Sequence, residues 1–186
     1  VTISAHKIGG PKGAGALVVR RSARERVEPI LLGGGQERAL RAGTENVAAI
    51  VGFGVAAAAS EPDPAATGAL RDRLAEGIVA GVPAASVTAS GATRSPGILH
   101  LRFPGVSAEE LLVLLDDADV AASAGSACAS GALEPSHVLS AMGWDDRAAK
   151  EAIRFSLGRT TDAREIEVAI GATVESVRRL SNSGAR

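Results

Sequence analysis

Three side chains of this sequence could form or break covalent bonds or clamp an anion, and each sits in a segment suited to such work. Lys7 follows His6 at the end of the strand-like run Val1-Thr2-Ile3 and just before a glycine-rich turn, Ile8-Gly9-Gly10-Pro11-Lys12-Gly13. A lysine held there can form a Schiff base with an aldehyde, provided its surroundings leave part of the amine neutral. The bland alternative is a surface lysine beside a turn histidine, with Ser4 and His6 filling local hydrogen bonds. Cys128 lies in Ala122-Ser123-Ala124-Gly125-Ser126-Ala127-Cys128-Ala129-Ser130-Gly131, a run of small residues with little to anchor it to a core. A free cysteine is commonly a buried small hydrophobe. On such a loop it can instead serve as an accessible nucleophile that visits a bound substrate. Arg154 stands in Ile153-Arg154-Phe155-Ser156-Leu157, where alternation sets a charge among apolar neighbours. Its planar fork matches a carboxylate, of a ligand or of the protein itself.

Other features give weaker signals. Gly10-Pro11-Lys12-Gly13-Ala14-Gly15 resembles a phosphate loop but has Ala16 where that motif needs a Lys-Ser/Thr pair, so a tight turn beside another ligand is the better reading. His100 and His137 have no partner set around them and read as structural or surface residues. No Cys/His spacing supplies a metal site, and a single cysteine allows no internal disulfide.

These groups must be positioned by a mixed helix and strand scaffold. The strand Ala16–Val19 follows the first turn, a short strand is expected at Pro29–Leu32, and the glycine run 33–35 leads through Gln36-Glu37-Arg38 to Thr44. Thr44 can cap a helix to about Ser60, with Val47, Ile50, Val51, Gly54, Val55 and Ala58 as its buried stripe. Glu61-Pro62-Asp63-Pro64 breaks the pattern and separates two lobes, 1–60 and 65–186. In the second lobe a helix is expected at 65–80 and a strand at 98–103. A helix at 108–116 should open on Ser107 and Glu110, and a short strand should run from 120 to 123. A short helix at 135–142 and a strand at 152–157 follow, then a long final helix opened by Asp162 and Glu165. The class is α/β or α+β.

Composition sets outer bounds. The chain has 186 residues, 46% of them hydrophobic, and a net charge of -1, which suits a soluble protein of one compact domain or two small ones. That charge provides no field for nonspecific polyanion binding, so direct nucleic-acid binding is disfavoured. No run reaches the roughly 20 apolar residues of a membrane span, and a reducing, cytoplasmic compartment is expected.

Four blocks together resemble the C-terminal half of a pyridoxal-phosphate-dependent cysteine desulfurase of the class V aminotransferase family. They are Ser4-Ala5-His6-Lys7 with Gly10-Pro11-Lys12-Gly13; Gly33-Gly34-Gly35-Gln36-Glu37-Arg38 continuing to Arg41-Ala42-Gly43-Thr44-Glu45-Asn46; Gly125-Ser126-Ala127-Cys128 with Glu134-Pro135-Ser136-His137-Val138-Leu139; and Ile153 to Arg159. The resemblance implies an α/β, fold-type I aminotransferase-like architecture. Residues 1–60 would finish the large cofactor-binding domain, 61–64 would link, and 65–186 would form the small domain carrying the cysteine loop.

It further implies that Lys7 holds pyridoxal 5'-phosphate as an internal aldimine and moves protons, that Ser4 and His6 bind its phosphate, and that Thr44 reaches the phosphate of a homodimer partner. Arg154 would clamp the α-carboxylate of L-cysteine. Cys128 would take its sulfur as a persulfide, leave L-alanine, and pass the sulfur to an acceptor protein serving iron-sulfur assembly, thiolation or phosphorothioation. The family's N-terminal half, with its own cofactor contacts, would have to come from the same or another chain. A selenocysteine lyase, or a noncatalytic scaffold for sulfur-transfer partners, are the alternatives.

Overall fold

In the computed structural model the described residues are 1–60, 63–124 and 136–183, apart from the side chains of 24–26 and 183. The chain divides into two compact units, Val1–Pro62 and Asp63–Arg186.

The first unit is built on a short antiparallel pair, β1 (Thr2–Ser4) and β2 (Gly15–Leu17), in which Ser4 faces Gly15. A Cβ at Gly15 would stand 2.8 Å from the Ile3 carbonyl oxygen, so the pairing needs glycine there. Between the strands runs a 3-10 turn, Ala5–Ile8, closed by Gly9 in the left-handed region. Helix α1 spans Val47–Ala59 and is capped by Asn46, whose side chain accepts from the Ala49 N–H. This corrects the expectation that Thr44 caps it: a residue three positions before the first helical one cannot reach the free N–H groups. The packed face also differs from the expected one. Ala49 is buried and Gly52, Phe53 and Ala56 half-buried, whereas Val47, Ile50, Val51 and Val55 are exposed within the unit. Beside Phe53 the inner face takes small residues where the turn lies close: a Cβ at Gly52 would stand 3.0 Å from Pro11 Cγ. Residues 29–32 form no strand: Leu31 accepts a bond from the Ala42 N–H within a loop, and Ile30 is 95% exposed.

The second unit carries an antiparallel sheet ordered β3 (Ser86–Val87), β4 (Ile98–Arg102), β5 (Ala152–Ser156). Alternation decides its faces. Leu99 pairs with Phe155 and Leu101 with Ile153 on the core side, while His100 pairs with Arg154 on the other. Helices α2 (Pro64–Gly81), α3 (Ala108–Asp116) and α6 (Ala163–Ser183) bring Leu74, Ile78, Leu111, Leu115, Ile166 and Val177 into that core. Each such fully buried side chain contributes about 1.5–3 kcal/mol over its exposed state. Local sequence sets the helix starts. Asp63 caps α2 with Pro64 in its first turn, Ser107 accepts from the Glu110 N–H, and Asp162 and Glu165 cap each other's backbone N–H groups reciprocally. The segment expected as a strand at 120–123 pairs only at Ser123, opposite Arg154. Short helices α4 (His137–Ala141) and α5 (Asp146–Ala149) complete the unit.

Candidate active site

The 3-10 turn presents three of the sequence-selected residues together. Ala5 is buried, its N–H donates to the Ala14 carbonyl at 3.0 Å, and its own carbonyl accepts from the Gly10 N–H at 2.8 Å. Those bonds tie the start of the turn to the loop that follows it. A Cβ at Gly10 would meet Ala5 and Ala56 at 3.0–3.2 Å, so the same glycine seats the turn on α1. From this fixed backbone Ser4 projects half-buried, and His6 and Lys7 project into the open.

Thr44 is exposed in the loop that enters α1 of the same unit. The loop before it is held unusually: Glu37, Arg38 and Ala39 all have positive φ, at 49°, 61° and 62°. Three successive side-chain-bearing residues in that region store backbone strain, a feature that clusters at ligand-binding segments. The Gln36 side chain bridges the loop by accepting from the Gly43 N–H at 3.3 Å.

In the second unit Arg154 leaves the outer face of β5 beside a cavity of about 400 Å³. Its Nε is buried and has no hydrogen-bond partner among the described residues. Directly across the strand pair, His100 holds its Nδ1 against the Thr88 hydroxyl at 2.7 Å and meets the Trp144 ring edge-on. Burial, and secondarily the charge of Arg154, push the His100 pKa below its ordinary value, so its neutral form is favoured. Sequence reasoning set His100 aside, yet one signal could have found it: a polar residue alternating with Leu99 and Leu101 must share the outer face with whatever its register partner carries. Arg94, which lines the same cavity, was also missed. Cys128, with Glu134 and Pro135, lies outside the described residues.

The profile of the class-V aminotransferases matches residues 1–168. The chain belongs to the class-V aminotransferase family. Among curated relatives it is 47% identical over 183 residues to the cysteine desulfurase IscS of Anaeromyxobacter sp. (strain Fw109-5), covering 96% of this chain and 45% of that protein. A cysteine desulfurase of Enterobacter agglomerans is 45% identical, covering 97% of this chain and 45% of the relative. Among solved structures, the NifS-like protein of Rickettsia africae ESF-5 superposes with a TM-score of 0.80 at 34% identity, over 95% of this chain and 47% of that one. The chain therefore spans a little under half the length of the relatives it matches. Its α/β fold is that of the fold-type I aminotransferase-like enzymes.

Class-V aminotransferases use pyridoxal 5'-phosphate, and the donor set on the first unit's turn fits that group. An exposed lysine amine suits an aldehyde carbon, and a hydroxyl and an imidazole on the same fixed turn suit a phosphate. Among the described residues no helix is long and apolar enough to cross a membrane.

Proposed function

We infer that this chain is the C-terminal half of a cytoplasmic, homodimeric cysteine desulfurase, which converts L-cysteine to L-alanine and passes the sulfur to an acceptor protein. The observation that carries this reading is the 45–47% identity, along nearly the whole chain, to proteins named cysteine desulfurases. Residues 1–60 finish the large cofactor-binding domain, 61–64 link, and 65–186 form the small domain. The apolar surface that the first unit leaves open, with Ile30 and Leu32 at 95% and 82% exposure and the outer face of α1 uncovered, supports completion by a further segment.

When bound, pyridoxal phosphate supplies an aldehyde carbon and a ring that acts as an electron sink. Lys7 holds the cofactor through its amine and, once substrate has replaced it there, moves protons at the substrate carbon. Ser4 and His6 hold the phosphate, and Thr44 reaches the phosphate in the partner protomer. Arg154 fixes the substrate α-carboxylate; its buried Nε, without a partner among the described residues, supports that role, since a buried polar nitrogen is seldom left unpaired in a folded protein. The Cys128 thiolate attacks the substrate sulfur. The carbon–sulfur bond breaks, a sulfur–sulfur bond forms, and the carbon takes up a proton, so cysteine and one thiol become alanine and one persulfide. A thiol with that task needs a reducing compartment, in keeping with the cytoplasm.

Borohydride reduction of the completed, cofactor-loaded enzyme followed by peptide mapping tests the assignment. The cofactor mass should sit on the peptide carrying Lys7 and vanish in Lys7→Ala. Fixation at another lysine, such as Lys12 on the same loop, would contradict it.

A further inference from the structure

Two buried side-chain nitrogens have no hydrogen-bond partner among the described residues, Arg154 Nε and Arg94 Nη1. Both arginines line one cavity of about 400 Å³ within the second unit, walled also by Thr88, His100, His137 and Leu139. The coincidence is informative because unpaired buried polar atoms are rare and each calls for a cause.

The charge balance points the same way. Among the described residues lining the cavity there is no carboxylate. Asp72 Oδ1 lies 3.8 Å from Arg94 Nη2. That oxygen is already engaged by Arg71, through Nη2 at 2.7 Å and Nε at 2.9 Å. Asp72 thus pairs more closely with its sequence neighbour than with Arg94, whose Nη1 has no partner among the described residues. Keeping two guanidinium groups partly out of water beside one space costs free energy unless an anion enters. Arginine's fork is also the geometry that binds carboxylates by paired hydrogen bonds.

We propose that Arg94 is a second anion-binding residue of this cavity, acting with Arg154 to hold the carboxylate of a small amino-acid substrate. The proposal rests on the reading of Arg154 given above. His100 contributes a neutral wall: its Nδ1 is tied to Thr88, which fixes the ring opposite Arg154. The cavity thereby offers a ligand two arginines in one lining.

Trp144 is the chain's single tryptophan and meets His100 at a ring distance of 6.3 Å, so its fluorescence in the full chain reports on the cavity. Titration with 3-mercaptopropionate, which has a thiol and a carboxylate but no amine, should give a saturable signal, whereas cysteamine, which lacks the carboxylate, should not. Arg94→Gln and Arg154→Gln should each weaken 3-mercaptopropionate at least tenfold, the loss expected for one charge-assisted hydrogen bond. Arg94→Lys, which retains charge without the fork, should fall between. In the completed enzyme Arg94→Gln should raise KM for cysteine by a similar factor and change kcat less. Thermal unfolding of each variant controls for folding, and Arg94→Lys carries the test if Arg94→Gln unfolds. Wild-type affinity in a folded Arg94 variant, with Arg154→Gln defective, would overturn the proposal. Carboxylate binding that depends on both arginines, in an enzyme producing no alanine from cysteine, would sink the desulfurase reading and leave this site standing.

Discussion

Glu151 shows how one buried charge can organise several backbone segments. Its side chain is only 7% exposed, and its two oxygens are fully engaged. Arg102 donates to Oε2 through Nε and Nη2 at 3.1 and 2.8 Å, while the Gly105 N–H and Arg147 Nε donate to Oε1 at 3.0 and 3.1 Å. Burial by itself would raise the Glu151 pKa, but these hydrogen bonds and the charge of Arg102 outweigh it, and the net shift is downward from 4.5. The folded protein therefore binds a proton there less readily than the unfolded chain. Stability from this group is complete above pH 4.5 and is lost as pH falls through the lower folded value. His100 adds an earlier loss. Its lowered pKa means that its contribution is complete above 6.5 and declines below that. Urea midpoints measured against pH should fall in two stages on acidification. Glu151→Gln should abolish the lower stage and cost about 2–3 kcal/mol at neutral pH, because the amide removes the charge beside Arg102 and keeps one accepting oxygen, so the donors on the other side lose their acceptor and meet an NH2 group. An unchanged acid profile in that variant would refute the assignment.

Among the elements, helix α2 meets α6 through glycine. An added Cβ at Gly77 would collide with Ile170 and one at Gly81 with Val174, so two small residues one turn apart let two larger ones nest. Gly77→Val should cost about 1–3 kcal/mol from overpacking even though valine is the better helix former, as read by thermal or urea unfolding. Wild-type stability would show that the helices can separate freely. The elements most legible in the sequence were those whose signals are local. Ser107 and the apolar spacing behind it fixed α3, and the reciprocal pair Asp162 and Glu165 fixed the start of α6. Less legible were features decided by neighbours. Val47, Ile50, Val51 and Val55 do form an apolar stripe, but the inner face went to Ala49, Gly52 and Ala56, because close approach of the first turn favours small side chains there. Pro29–Leu32 has the residue types of a strand but no partner strand among the described residues. Likewise His100 showed only its alternation with Leu99 and Leu101, and Arg94 gave no sign as a separate residue; register set His100 across from Arg154, and a shared cavity lining links Arg94 to it.

For the whole molecule, the contrast between the units is the main physical fact. The second has a continuous core from Leu74 to Val177 around its sheet, whereas the first buries Ala5 and Ala49 and leaves large aliphatic side chains in the open. A helix apolar on both faces is stable where both are covered, which agrees with a chain matching less than half the length of its relatives. The proposed transfer of sulfur to one thiol belongs to this scale, because the chain spans less than half the length of the relatives it matches. The most direct measurement is mass analysis of the completed, cofactor-loaded enzyme after exposure to L-cysteine, with alanine quantified alongside. The account predicts one added sulfur atom on Cys128 in step with alanine formed, and loss of both in Cys128→Ala. Alanine accumulating at an undiminished rate with Cys128 unmodified, or absent, would contradict it.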